Sequence, residues 1–342
     1  MTAVLNKIGV LTTEQYKNKF RVDNAVAFAN PQNYGLERAI TTLTQLVAGV
    51  QRQKFYTVAE PLTTYVPIEM GTGAYSRQLF QYRVAQVGDS FEAGIVQPGN
   101  GINKDTNLDI VIDGVSIRNN FWRMKYEASK EIIETARVNA VDFSYIEEQE
   151  IARKRTVDLG TQKITFLGTD DGLNFGLLNQ PEVTINTSLL PVSIPNMSIT
   201  QLTNYAKTAI STYFANTNST VFPNTWLMPT ATYMSLGVPV NPEFPIGTVR
   251  EYLEKAFIAA GAPGDFKILH TVYNNTAGTG GRGRHVLYNR DPQTLTMYIP
   301  KPYTPYPLYP SGSLDMISDA EMQFTGVWVK RPAELLYLDE AA

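Results

Sequence analysis

The chain has 342 residues, 43% of them apolar and 18% charged, with 29 Lys and Arg against 32 Asp and Glu for a formal net charge of -3. That length buries a sizeable core, in two domains or one elaborated domain, and near-neutrality argues against a protein whose main task is gripping phosphates, though not against a container for DNA. The absence of cysteine excludes disulfides, thiolate zinc sites, thiol catalysis and iron–sulfur clusters, and fits a reducing cytoplasm.

Met1 to Val10 carries one Lys and no long apolar run, unlike a secretory signal. No run of about 18 apolar residues occurs, so no membrane-spanning helix is expected, and the chain reads as soluble and intracellular when made. The first thirty residues show no pattern that buries a face, so such an end needs a surface to lie on, which points to neighbouring subunits. From Leu36, the spacing of Ile40, Leu43, Leu46, Val47 and Val50 predicts one helix face. Tyr56 to Ile68 then reads as extended chain punctuated by Pro61 and Pro67.

Gly71 to Asn107 reads as a long hairpin: Leu79 to Val84 is a strand, while Gly88, Gly94, Pro98, Gly99 and Gly101 mark turns and tips. Its few apolar residues cannot fold it alone, so it needs a partner surface. Leu108, Ile110 and Ile112 alternate, predicting a return to a sheet with one buried face. Asp142 to Lys163 is the longest helical segment, and Glu150 stands four residues before Lys154, the order that favours an ion pair along a solvated face.

After Gly168 and a Gly/Asp-rich turn, Phe175 to Pro181 leads to a second helix, Ile199 to Phe214, with Leu202, Tyr205, Ala206, Ala209, Ile210 and Tyr213 on one stripe. A short buried strand follows at Thr225 to Met228, with Pro229 opening a helix. Val249 to Ala260 is a further helix, and Phe266–Val272, His285–Tyr288 and Leu295–Ile299 are strands, so this stretch reads as a compact α+β domain. Pro300, Pro302, Pro305, Pro307 and Pro310 follow, with Tyr303, Tyr306 and Tyr309 at the polyproline II period, which predicts an extended crossover tied down by its rings.

Chemistry finds little to stand on. Gly278, Gly280 and Gly283 match the spacing of a dinucleotide fingerprint, but the strand-like His285 to Tyr288 follows where a helix is required, so a mobile hairpin loop is the better reading. Arg282 and Arg284 could touch nucleic acid, without the interleaved aromatic residues that would strengthen the case. The two histidines, His270 and His285, could face each other across a hairpin, yet two ligands do not complete a zinc site. No nucleophile elbow or phosphate loop occurs, and no cofactor is expected.

The order of segments resembles the major capsid proteins of tailed bacteriophages with the Hong Kong 97 (HK97-like) fold, in the subgroup without a long scaffolding domain. Thr63 to Ile68 with Gly73 and Ala74 looks like the entry to that family's extended loop. Phe121 to Ile133, with Tyr126 and Glu131, looks like the approach to its spine helix, and Asp142 to Lys163 closed by Phe166-Leu-Gly168 is similar to the helix itself. Phe175 to Val183 looks like its Gly-Leu-Leu-Asn segment, Thr225 to Tyr233 like the axial domain's strand and helix, and Phe324 to Tyr337 like the closing strands of the peripheral domain.

The resemblance implies an α+β subunit with an N-terminal arm (1–55), an extended loop (69–107), a peripheral domain (56–68, 108–197 and 313–342, with the spine helix at about 142–163) and an axial domain (198–312). It implies no enzyme, but a coat protein that self-assembles as hexamers and pentamers into an icosahedral head around double-stranded DNA, held without sequence-specific contacts. Portal, scaffold, decoration and head–tail connector proteins are its expected partners, with no membrane. The expected assembly contacts are Arg77, Phe80, Tyr82, Arg83 and Phe91 on the loop, and Glu147, Glu150, Arg153 and Lys154 on the helix. Near the capsomer axis they are Asn241 and Glu243, with Arg282 and Arg284 on a second loop. An encapsulin-type nanocompartment shell is the nearest alternative, and a soluble hydrolase or sugar-binding protein, suggested by the many Tyr and Asn residues, is the rival from another class.

Overall fold

The computed structural model describes residues 60–89, 108–131, 133–134, 145–190, 194, 197–239 and 247–340. The arm with its expected helix at Leu36–Val50, the residues before Tyr145 in the charged helix, Phe91, Asn241 and Glu243 lie outside them. In chain order, Leu62–Tyr65 is a short helix (α1) and Ile68–Met70 a strand (β1). Pro61 stands at the start of α1 and the Val66 N–H donates to the Leu62 carbonyl at 2.9 Å, so the segment read as extended makes one turn before it straightens.

Gln78–Gly88 (β2) and Leu108–Arg118 (β3) precede Asn120–Ser129 (β4), the long helix Tyr145–Leu167 (α2) and Thr184–Asn186 (β5). Ile199–Asn216 (α3), Thr225–Pro229 (β6), Thr230–Ser235 (α4) and Val249–Ala259 (α5) come next. Then follow Lys267–Thr271 (β7), Arg284–Tyr288 (β8), Leu295–Ile299 (β9), Lys301–Pro305 (β10), Tyr309–Pro310 (β11), Asp315–Phe324 (β12), Val327–Val329 (β13) and Leu335–Asp339 (β14). Two compact units divide the chain; the larger takes in Val58–Lys125, Asp158–Leu308 and Ser318–Ala342, the smaller Tyr126–Val157 and Tyr309–Ile317.

The larger unit is organised by a five-stranded sheet in the order β5-β14-β8-β6-β7. Its three inner strands are buried on both faces, which is why Trp226–Met228, Val286–Tyr288 and Leu335–Leu338 read in sequence as short apolar runs instead of alternating. On one face Trp226, Met228, Leu287, Leu336 and Leu338 meet Leu202, Tyr205, Ala209 and Tyr213 of α3 and Leu253 and Phe257 of α5. The helix α3 starts on a reciprocal cap: the Ser198 hydroxyl accepts from the Gln201 N–H at 3.3 Å and the Gln201 side chain accepts from the Ser198 N–H at 2.8 Å. The strand β14, in the segment expected to close the peripheral domain, pairs with β8 from Leu335↔Tyr288 to Asp339↔Arg284.

Because β6 lies between β7 and β8, the two histidines do not face each other. His270 packs against Tyr233 with ring centres 4.3 Å apart and the planes tilted by 32°, and His285, fully buried, sits 3.3 Å from a Glu340 carboxylate oxygen. A second sheet has the order β1-β9-β13, and in a third β12 pairs with β10, β11 and β4. The proline-rich segment is therefore strand, Lys301 standing opposite Gln323 and Thr304 opposite Glu321. Proline lacks the N–H for an inner ladder but is tolerated at a sheet margin, so local composition mimicked polyproline II where β12 imposed pairing.

The end of α2 is fixed by close backbone approach. A Cβ on Gly176 would lie 2.4 Å from the Phe166 carbonyl carbon and 2.5 Å from the Leu167 nitrogen, so the Gly-Leu-Leu-Asn segment can press on the helix only as glycine. Leu177 and Leu178 behind it are fully buried. In the smaller unit, Glu150 pairs with Arg153, three residues on, and the Arg153 guanidinium lies 4.8 Å from the Tyr126 ring centre. Arg153 is 3% exposed, so that face of the charged helix is packed there, not solvated.

Candidate intersubunit surface

The strands β2 and β3 form a two-stranded antiparallel ribbon of their own, in register from Gln78↔Arg118 to Gly88↔Leu108, and join none of the other sheets among the described residues. Eleven residues per strand span about 36 Å at ~3.3 Å each. Opposite residues share a face, so Phe80, Tyr82 and Val84 of β2 lie on the same side as Leu108, Ile110 and Ile112 of β3. All six are exposed, at 58, 72, 62, 70, 56 and 65% respectively. The Phe80 and Tyr82 rings meet edge to face at 5.0 Å. Phe80 lies over Gly114, where a Cβ would come within 2.0 Å of its ring, so the glycine makes room for the aromatic residue. The other face places Arg83 opposite Asp113 and Gln81 opposite Val115.

The alternation at Leu108, Ile110 and Ile112 is thus real, but its face is not buried within the subunit. Isolated two-stranded ribbons are marginal in water, and an exposed apolar stripe of this length is the kind of feature that marks interaction sites on protein surfaces.

The root of the ribbon is held by a polar cluster. Gly71, Gly73 and Tyr75 have φ of 86, 77 and 65°, three left-handed residues in five, and for Tyr75 that conformation costs roughly 1–2 kcal/mol. The Tyr75 N–H donates to the Gln323 side-chain oxygen at 2.8 Å and its hydroxyl to Glu321 at 3.2 Å. Lys301 donates to Glu321, to the Tyr75 hydroxyl, and to the Tyr306 hydroxyl at 3.1 Å. Arg123 stands 3.8 Å from the other Glu321 oxygen. On the returning strand, the Asn119 amide donates to the Ser76 carbonyl at 2.8 Å and to Gln323 at 3.3 Å, and its backbone N–H to the Arg77 carbonyl at 3.0 Å. The bonds from Lys301 and Tyr306 draw the Glu321 carboxyl down to about 2, and the bond to Glu321 raises the Lys301 ammonium above its ordinary range. Beside the root, a cleft of about 230 Å³ is walled by Arg83, Ile117, Phe175, Pro181 and Trp328.

Of the expected contact residues, Arg77, Phe80, Tyr82 and Arg83 are exposed on or beside the ribbon, as are Glu147 and Lys154 on α2 and Arg282 on its loop. Arg284 is not available to a partner. It is buried, with Nε 2.7 Å and Nη2 2.8 Å from the two Asp339 oxygens and Nη1 2.6 Å from the Leu178 carbonyl. Burial by itself would raise the Asp339 carboxyl; Arg284 and Thr279 hold it below its usual range. The glycine loop is tied to the same carboxylate by the Thr279 N–H at 2.8 Å and hydroxyl at 2.7 Å, where the sequence suggested a mobile loop. The sequence reading missed Tyr75, Asn119, Lys301, Glu321 and Gln323, which lie far apart in the chain and carry no local motif. Only the tyrosine spacing at Tyr306 hinted at the cluster.

The architecture is that of tailed-phage capsid proteins with the Hong Kong 97 fold. The capsid of Myoviridae Phage XM1 matches with a TM-score of 0.73 at 16% identity, over 88% of this chain and 97% of that one. A structure from Mycobacterium phage Che8 matches at 0.56 and 12%, over 86% and 97% of the two chains, and the capsid of a native GTA particle at 0.56 and 11%, over 87% and 96%. At such identities the likeness establishes the fold. The family model for Major capsid protein matches residues 103–340, and the chain belongs to that family. No curated protein matches the sequence. It is a phage coat protein of the virion shell, and the encapsulin alternative is not favoured.

Proposed function

We propose that this coat protein closes the icosahedral head of a tailed phage as hexamers and pentamers around double-stranded DNA, and that it is assembled in the host bacterial cytoplasm and catalyses nothing. The exposed apolar face of the ribbon carries this reading, because six large side chains on one side of a hairpin that joins no other sheet among the described residues need a neighbouring subunit to cover them. Heterologous contacts of this kind, each modest, close into rings when repeated by rotation. DNA is held by enclosure, consistent with a net charge of -3. Portal, scaffold, decoration and head–tail connector proteins remain the proposed partners, the N-terminal segment a proposed arm, and the five-stranded sheet with α3 and α5 the proposed axial domain, to which β5 and β14 are joined by strand pairing.

The test is to remove Gln78–Arg118 and join Arg77 to Asn119 through Asn-Gly, since those two residues already meet at the root. The truncated subunit should fold but close no particles in electron micrographs of material that forms shells with the ribbon intact. Complete shells without the ribbon would refute the assignment, and extracted protein cargo in place of DNA from native particles would return the encapsulin reading.

A further inference from the structure

We propose that Lys301, Glu321 and Tyr75 form a latch that fixes the direction in which the β2–β3 ribbon leaves the subunit. The ribbon shares no sheet with the rest of the described residues, so its bearing is set near its root, where Arg118 also lies 3.5 Å from Asp171. Both root strands converge on one short stretch of β12. The outgoing strand is held at Tyr75 by Gln323 through its N–H and by Glu321 through its hydroxyl. The returning strand is held at Asn119 by the same Gln323. Lys301 stands directly opposite Gln323 on β10 and grips both Glu321 and the Tyr75 hydroxyl, so the charge pair and the ribbon root are one bonded unit.

A left-handed Tyr needs such a hold, because nothing in its own backbone favours that conformation. The ribbon is also a long lever: a rotation of roughly 10° at the root moves its far end by about 6 Å, enough to miss a neighbour's surface. These are positioning residues for assembly, acting through the ribbon rather than by touching the neighbour.

The latch is built to ignore ordinary changes of pH. Glu321 faces Lys301, Tyr75, Tyr306 and Arg123, and its carboxyl is depressed from 4.5 to about 2. A depressed carboxyl contributes stability that is complete above its ordinary value and is lost as pH falls toward 2, so the latch holds through the physiological range.

The proposal is tested by hydrogen–deuterium exchange on the full-length soluble protein, a readout that does not depend on shells forming. In Lys301→Met and in Glu321→Gln, peptides spanning Gly71–Arg77 should exchange at least fivefold faster, while peptides from β14 stay as in the parent. A smaller change at the root overturns the latch. If β14 peptides also speed up, the variant has lost its fold, and Tyr75→Phe, which deletes one hydroxyl and leaves the ion pair, is read in its place. An unchanged root in that variant overturns the proposal equally. In the parent, exchange at the root corrected for intrinsic rates should be the same at pH 5 and pH 8, and release at pH 5 would contradict the depressed Glu321.

Discussion

Replacing Phe80, Ile110 and Ile112 together by Thr removes half of the apolar stripe while keeping β-branched residues that suit a strand. These side chains are 58, 56 and 65% exposed in the subunit, so about six-tenths of each is available for a neighbour to cover. Full burial of such a side chain is worth about 1.5–3 kcal/mol, so the covered part is worth about 1–2 kcal/mol. Thr keeps one methyl group and loses about 1 kcal/mol of that per position. The triple variant should therefore lose about 3 kcal/mol per ribbon contact, and its critical concentration for assembly, followed by light scattering, should rise about a hundredfold. The isolated subunit should be indifferent, its Tm within about 2 °C of the parent, because the three residues are exposed on a ribbon that joins no other sheet among the described residues, so their loss is felt within the ribbon and not in the buried core. Gln81→Thr on the opposite face is the control and should assemble like the parent. An assembly threshold within threefold of the parent for the triple variant would show that the stripe meets no neighbour.

Three further outcomes follow from the same geometry. Asp339→Asn leaves Arg284 buried without its charge partner and should cost about 3–5 kcal/mol in urea unfolding; a loss under ~1 kcal/mol would mean that the pair is dispensable. Gly176→Ala drives a methyl group into the backbone at the end of α2 and should cost at least about 2 kcal/mol, seen as a lowered Tm and soluble yield, and a parent-like Tm would refute that packing. Between Gly71 and Asn103 the chain has no Lys, and its two basic side chains there, Arg77 and Arg83, carry guanidinium groups, which are poor nucleophiles. Mature particles boiled in detergent should thus give a single band near 38.1 kDa, and a ladder of covalent oligomers would contradict this.

The sequence by itself determined most of the elements. The stripe of Leu202, Tyr205, Ala209 and Tyr213 found α3, the run Thr225 to Met228 found β6, and Gly168 stopped α2, because period, turn chemistry and capping act over a few residues. It also supplied the α+β class and the family resemblance, which rest on the order of such local pieces. It could not say which apolar face is buried. Leu108, Ile110 and Ile112 alternate like core residues, yet only the pairing of β3 with β2 alone leaves them exposed. It could not assign partners to charges either. Arg284 looked like a surface arginine until β14 brought Asp339 beside it from 55 residues away. The ribbon root draws Tyr75, Asn119, Lys301, Glu321 and Gln323 from four stretches of chain, and no local pattern records contacts made across such separations. Hydrophobic periodicity specifies that a residue prefers a face; which surface covers that face is settled only when the strands have chosen their neighbours, within the subunit or between subunits.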